Sequence, residues 1–312
     1  MLNGSFYSWH NQGINHCYFT WNLMADNHNI VFLDGQFMPI SEAKISPMDR
    51  GFLFGDGIYE VVPSYGTKLV GFDLHIRRMQ IGLDAVGIEL KLSVDDWRDI
   101  SQNLIEKNGK GNLGLYFHVS RGADIKRFHA YPENIQPTVF AYTFTIPSAP
   151  NPDKLSVKQY RVTSTEDLRW KRCQIKSTSL LGNVMHFQQG QEAGVDETIL
   201  YNQRDELTEA SACNVFIVKN KVVMTPPLDN QLLPGITRNM LLDILRKDGT
   251  LQVLETVISM SEVHAADEIW LTSSSKEIAP VVELDGQPVG NGIVGDIWQL
   301  AQNLYSVNKY NY

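Results

Sequence analysis

Lys176 stands in the segment CQIKSTSLL, Cys173 to Leu181, where apolar and polar residues alternate. Strand side chains alternate faces, so Ile175 and Lys176 are expected on opposite sides of a short, half-buried strand. A buried ammonium is costly unless it is paired. Lys176 is therefore either a side chain facing water or a lysine kept reactive as a neutral amine, the state that forms a Schiff base. Further features of the chain bear on that choice. Glu209 lies in LTEASACNVF, just before a strand pattern. Gly235, Ile236 and Thr237 in LLPGITRNMLLDIL open an apolar-periodic helix. Free N–H groups, the helix dipole and a hydroxyl at such a start suit a phosphate. LTSSSKEI puts Ser273, Ser274 and Ser275 directly after a strand, where loops carry ligands. Arg78 in DLHIRRM belongs to a helix of the first half. Taken singly these are a turn carboxylate, a helix cap, a polar turn and a solvated arginine. Taken together they are the set that pyridoxal phosphate requires: a Schiff-base lysine, a partner for the pyridine nitrogen and a phosphate site.

The elements that must position these residues fall into two groups. NIVFLD and QFMPI read as strands joined by the Asp34-Gly35 turn. The glycine-rich piece RGFLFGDGIYEVV, Arg50 to Val62, matches neither GxGxxG nor a Walker loop. KLVGF reads as a strand, and a helix is expected from about Asp73, with Asp73 as its N-cap. Ser93 is expected to cap a second helix with Trp97, Ile100, Leu104 and Ile105 on one face and Gly109 at its end. LGLYFHVSRG and TVFAYTFTI read as strands. IPSAPNPD, with its three prolines, then reads as a linker. Beyond it, KLSVKQYRVT, RCQIKS and ETILYN are expected as strands, with a helix over SLLGNVMHFQQGQEAG between the last two. NVFIVKN and KVVMTPP form a hairpin, a helix runs from near Thr237 to Lys247, and EIWLT is a strand. The expectation is a mixed α/β (α+β) chain of two lobes, 30–147 and 154–312, joined by 148–153, with the ligand in the cleft between them.

Composition narrows the class. The chain has 312 residues, 43% hydrophobic and 20% charged, with a net charge of −8. That charge, with no lysine-rich run, argues against a nucleic-acid role. No apolar stretch approaches the ~18 residues of a membrane span. Cys17, Cys173 and Cys213 are widely spaced with no CxxC pair, which fits a reducing, cytoplasmic compartment and no disulfide or zinc framework. Residues 1–29 lack Lys and Arg and lack a signal-peptide pattern, and they read as a loosely ordered extension. His10, His16 and His28 show no metal-ligand spacing. Met24 is a candidate native start, because the ordered pattern begins just after it.

From about Ile30 to about Gln302 the chain resembles the class IV pyridoxal-phosphate transaminases, and within them the D-amino acid (D-alanine) aminotransferases. SPMDRGFLFGDGIYEV, EDLRWKRCQIKSTSLLGNV, LTEASACNVF, PGITR and LTSSSKEIAPV carry the resemblance, and DLRWKRCQIKS is its most specific part. It implies fold type IV, a homodimer and transfer of the amino group between D-alanine and 2-oxoglutarate, other D-amino acids and 2-oxo acids being related substrates. It implies that Lys176 holds the cofactor as a Schiff base and moves the proton, and that Glu209 pairs with the pyridine nitrogen. Arg78, Ile236, Thr237 and Ser274 would bind the phosphate, and Tyr59 would face the substrate. Arg127 and His129, in ADIKRFHAYP, match an Arg-x-His pair that traps the substrate carboxylate on a mobile loop, reaching in from the partner subunit. The chain departs from the family at Lys126, where a proline is usual, and at Ala212, where a hydroxyl is lost. The Arg-x-His pair motivates the D-specific reading. A branched-chain L-amino acid aminotransferase and an aminodeoxychorismate lyase of the same fold are the alternatives.

Overall fold

Asp34 and Gly35 close the first hairpin with φ of 46° and 90°, the left-handed pair that lets a tight turn follow the twist of its strands. The computed structural model describes residues 29–312. The expectations for the extension, for Met24 and for His10, His16, Cys17 and His28 therefore lie outside the described residues. Asn29, counted with the extension, already takes part in the fold, since its carbonyl accepts the Ile40 N–H at 2.9 Å.

The first half builds a six-stranded sheet from β1 (Ile30–Leu33), β2 (Gln36–Pro39), β3 (Gly57–Tyr65), β4 (Lys68–Leu69), β5 (Asn112–Ser120) and β6 (Thr138–Thr145). Its order is β2-β1-β6-β5-β3-β4. β3 and β5 pair antiparallel from Gly57↔Ser120 to Tyr65↔Asn112. Ile58, Val62, Leu115, Phe117 and Val119 point to one face and form a core with Ile76, Met79, Leu83, Trp97 and Leu104. Those partners come from α2 (Phe72–Val86) and α3 (Val94–Asn108). A short helix, α1 (Arg50–Phe54), precedes β3.

α3 has the expected cap at Ser93, and Asp96 completes it as a capping box, the two exchanging hydrogen bonds; Trp97, Ile100, Leu104 and Ile105 are buried as the period requires. α2 departs from expectation. Its N-cap is Gly71, not Asp73, which sits in the first turn. Gly71 adopts a φ of 61°, and a Cβ there would come within 3.0 Å of Ile236 and Met240 in the second half. A glycine is needed at that close approach, so the helix begins earlier. KLVGF supplies only the two-residue β4.

The second half builds a nine-stranded sheet from β7 (Tyr160–Glu166), β8 (Glu197–Tyr201), β9 (Leu207–Ala210), β10 (Asn214–Lys219), β11 (Val222–Thr225), β12 (Gln252–Glu255), β13 (Glu268–Ser273), β14 (Glu277–Leu284) and β15 (Gln287–Pro288). The order is β12-β11-β10-β13-β14-β7-β8-β9, with β15 on β14. β7 starts six residues later than the KLSVKQYRVT reading, at Tyr160. α4 (Leu181–Glu192) packs on β8, α5 (Ile236–Asp248) and α7 (Asp296–Asn308) cover one face, and α6 (Met260–His264) is short. Phe216, Leu241, Leu245, Trp270, Trp298 and Tyr305 fill the space under α5 and α7. Among the described residues no helix is long and apolar enough to cross a membrane. Cys173 and Cys213 are free and buried.

Candidate active site

The RCQIKS segment is not a strand. It is a loop with a turn closed by the Ile175 N–H on the Arg172 carbonyl at 3.1 Å, and it touches β3 through one bridge, Ser177 to Ile58. Alternation alone names no ladder partner; here the Cys173 N–H donates to the Asn230 carbonyl at 2.9 Å, and the residues around Lys176 bond to the glycine-rich turn and the start of β3. The Tyr59 N–H donates to the Lys176 carbonyl at 3.1 Å, and the Thr178 N–H to the Gly57 carbonyl at 2.9 Å. The Thr178 and Ser179 hydroxyls donate to the Gly55 carbonyl at 2.9 and 3.0 Å. Gly55 has a φ of 65°, and a Cβ on it would strike Ser179 Oγ at 2.5 Å. The GDG run is thus a backbone seat for Lys176. It holds the Lys176 amine 4.2 Å from the centroid of the Tyr59 ring.

Glu209, on β9, is buried. Its Oε1 accepts from Arg169 Nη1 at 2.5 Å. Its Oε2 accepts from Asn214 Nδ2 at 3.1 Å and the Leu233 N–H at 3.0 Å. Arg169 is shared, because it also donates to both oxygens of Asp167, at 3.0 and 2.8 Å. Burial pushes the Glu209 carboxyl up to about 7 against the pull of Arg169, and the negative Asp167 adds to the rise. Burial works against the charge on Arg169 as well, but Asp167 and Glu209 hold its guanidinium protonated above the ordinary range. The wall therefore carries two carboxyls, Asp167 and Glu209, that share one guanidinium.

At the other end α5 begins at Gly235, where no side chain caps the first N–H groups. A Cβ on Gly235 would lie 2.0 Å from Asn214 Oδ1, so the helix start and the Glu209 site are packed against each other. Arg78 on α2 donates to Glu60 through Nε and Nη2, both at 2.7 Å, and to the Pro234 carbonyl through Nη1 at 2.9 Å. It thereby ties the first half of the chain to the loop before α5. Glu60 is one residue after Tyr59 on β3, so it faces the opposite side of the sheet, toward α2. There His75 Nδ1 lies 2.7 Å from its Oε2. Burial opposes the charge on Glu60, but Arg78 and His75 hold its carboxyl well below the usual range. Burial lowers the His75 pKa in turn, with Glu60 pulling the other way.

Tyr59, Arg78, Lys176, Glu209, Ile236, Thr237 and Ser274 all line one cavity of about 430 Å³. Arg127 and His129 do not line it. They sit on the exposed loop between β5 and β6, the Arg127 guanidinium 5.0 Å from the Phe54 ring and the His129 ring 5.4 Å from it. Arg169, Asn214, Glu60 and His75 were not anticipated from sequence. Arg169 lies within the DLRWKRCQIKS motif, but a spacing of 40 residues to Glu209 gives no periodic signal. Among the described residues no group of three or more His, Cys, Asp or Glu side chains gathers to hold a metal ion.

The family model "Amino-transferase class IV" matches residues 57–284. D-alanine aminotransferase of Bacillus licheniformis is 37% identical over 273 residues, covering 87% of this chain and 94% of that protein. D-alanine aminotransferase of Staphylococcus aureus (strain MW2) is 34% identical, covering 87% and 95%. Among solved structures, branched-chain amino acid aminotransferase of Escherichia coli superposes with a TM-score of 0.83 at 20% identity, over 90% of this chain and 95% of that one. A branched-chain aminotransferase from the archaeon Thermoproteus uzoniensis, solved with norvaline, gives 0.79 at 25% identity, over 90% and 95%. The sequence match, the extent of its coverage and the shared architecture agree, and the chain belongs to the class IV amino-transferase family with its type IV fold.

Proposed function

We propose that this protein is a pyridoxal-phosphate-dependent D-amino-acid transaminase, converting D-alanine and 2-oxoglutarate to pyruvate and D-glutamate. One observation carries the reading: in a chain whose sequence relatives are D-alanine aminotransferases, Lys176 and Glu209 line the same cavity as Arg78 and the uncapped start of α5.

The residues present fit the cofactor. Glu209 is a buried carboxyl whose one guanidinium partner is divided with Asp167, so a protonated ring nitrogen beside it would complete the charge balance. The N–H groups at Ile236 and Thr237 have no side-chain cap and suit a phosphate, with Arg78, the Thr237 hydroxyl and Ser274 beside them. When bound, pyridoxal phosphate supplies an electron sink for the pair released as the substrate α-C–H bond breaks.

Lys176 would hold the cofactor through Nζ and, once displaced by the substrate amine, carry the α-proton on that same nitrogen. Tyr59 gives this amine an aromatic wall, and the seat at Gly55–Gly57 fixes the lysine backbone, so that only the side chain moves. Arg127 and His129 would bind the substrate carboxylate, the arginine through its planar fork. Because they do not line the cavity of their own chain, the reading places them in the site of a second copy. The apolar side chains left exposed at Leu168, Trp170, Leu181, Val184 and Met185 support a homodimer. A division into units 30–147 and 154–312 is supported by the two sheets, which end at Thr145 and begin at Tyr160. Two free, buried cysteines are consistent with a cytoplasmic home.

The branched-chain reading is favoured only by fold neighbours of low identity. Pyruvate release tests the assignment. From D-alanine alone no more than one equivalent per site is expected; continuous release is expected only when 2-oxoglutarate is supplied, and 2-oxoglutarate is then turned into D-glutamate. Turnover of L-leucine in place of D-alanine would favour the branched-chain reading. Pyruvate released from aminodeoxychorismate without any 2-oxo acid would favour the lyase.

A further inference from the structure

The glycine-rich turn touches two segments that the proposed function needs. On one side it seats Lys176 through Gly55 and Gly57. On the other side stands Arg50, the first residue of α1, which is only 3% exposed. Its Nε donates to Asp56 Oδ2 at 2.8 Å. Its Nη1 donates to the Phe128 carbonyl at 2.6 Å and its Nη2 to the His129 carbonyl at 3.2 Å. These two carbonyls lie on either side of the His129 Cα, in the loop that carries the Arg127 and His129 side chains. Both of those side chains rest on Phe54, at the other end of the same short helix.

We propose that Arg50 is a positioning residue for substrate binding, anchoring the loop that presents Arg127 and His129 to the substrate carboxylate; this rests on the role given to those two residues above. Within its own chain apolar burial does not hold the loop, because Ile125, Phe128 and Tyr131 are 96%, 54% and 62% exposed. Charge balance does not require Arg50 either. Arg121 already donates to both oxygens of Asp56, at 2.8 and 3.0 Å, and stacks on Tyr131 at 3.6 Å. One guanidinium neutralises one carboxylate, so the second is free for the loop. Its fork spans two successive carbonyls, which a point-charge ammonium cannot do. Backbone carbonyls on an exposed loop find water when the arginine is lost, so the damage falls on the position of the loop and not on the core.

The test uses the cofactor-loaded enzyme and the Arg50→Met variant. KM for D-alanine is expected to rise about tenfold while kcat changes by less than about threefold, the signature of lost carboxylate positioning. Visible cofactor absorbance should be unchanged. Limited trypsin should cut after Lys126 and Arg127 at least about tenfold faster than in the parent, the remaining chain staying resistant. Arg50→Lys should fall between the two, and it carries the test alone if Arg50→Met does not fold. An unchanged KM and unchanged cleavage, in a background where Arg127→Ala does raise KM, would overturn the anchoring role. Loss of cofactor together with kcat would overturn it too, in favour of a purely structural arginine. An unchanged KM in Arg127→Ala would instead overturn the carboxylate role on which the proposal rests.

Discussion

The Lys176 amine lies over the Tyr59 ring, 4.2 Å from its centroid, and the Tyr59 N–H holds the Lys176 carbonyl at 3.1 Å. Tyr59 thus contacts the lysine at both its backbone and its side chain. The next residue of β3, Glu60, turns to the opposite face and grips Arg78. One strand therefore serves both ends of the cavity through the alternation of its side chains.

Glu209 gives a pH prediction for the cofactor-free protein. Its carboxyl is raised by burial to about 7, above the ordinary value of 4.5. The folded state then binds the proton more tightly than the unfolded one. The associated stability is complete below about 4.5 and lost as pH rises through about 7. Denaturant midpoints measured between about pH 5 and about 8 should fall with pH, and Glu209→Gln should flatten the trend. Parallel profiles for the two proteins would refute it.

Gly235→Ala tests the packing between the α5 start and Glu209. The glycine has an ordinary φ of −60°, so alanine brings no backbone strain. Its Cβ would collide with Asn214 Oδ1 and drive Asn214 from Glu209. Stability should drop by about 1–3 kcal/mol, as for other overpacked sites. Pyridoxal phosphate affinity, read by absorbance titration, should weaken in step. Combined with Asn214→Ala, the substitution should cost less than the sum of the two, since both act through one contact.

Glu60→Ala removes the carboxylate that holds Arg78 and His75. A largely buried guanidinium left unpaired costs about 3–5 kcal/mol, and the melting temperature should fall accordingly. Arg78 would also lose its aim at the helix start, so cofactor should dissociate faster. A variant as stable as the parent would show that the network carries no such weight.

Arg127→Ala should raise KM for D-alanine by about 10–100-fold through the lost fork of hydrogen bonds, with the cofactor still bound. Steady-state kinetics across D-alanine concentrations decides this, and an unchanged KM would remove Arg127 from the substrate site.

Much of this was legible locally. Ser93 and the spacing of Trp97, Ile100 and Leu104 define α3 without outside help. The Asp34-Gly35 turn and the α5 start at Gly235 were similarly self-contained. The gathering of Lys176, Glu209, Arg78 and Thr237 was not, because their spacings carry no period; the motif resemblance supplied it. RCQIKS failed as a strand because its alternation says nothing of partners, and a single bridge is all that forms. Asp73 looked like a cap because the constraint on Gly71 comes from Ile236 and Met240, far along the chain. Glu60 and Arg169 were missed for the same reason: a buried carboxylate or guanidinium is recognisable only once its partner is known.

The most direct test of the central claim follows the visible absorbance of the cofactor-loaded protein on adding D-alanine without any 2-oxo acid, alongside L-alanine and the Lys176→Ala variant. The account predicts loss of the visible band with D-alanine and not with L-alanine, its return on adding 2-oxoglutarate, and no such cycle in Lys176→Ala. A band that responds only to L-amino acids, or that cycles unchanged without Lys176, would contradict it.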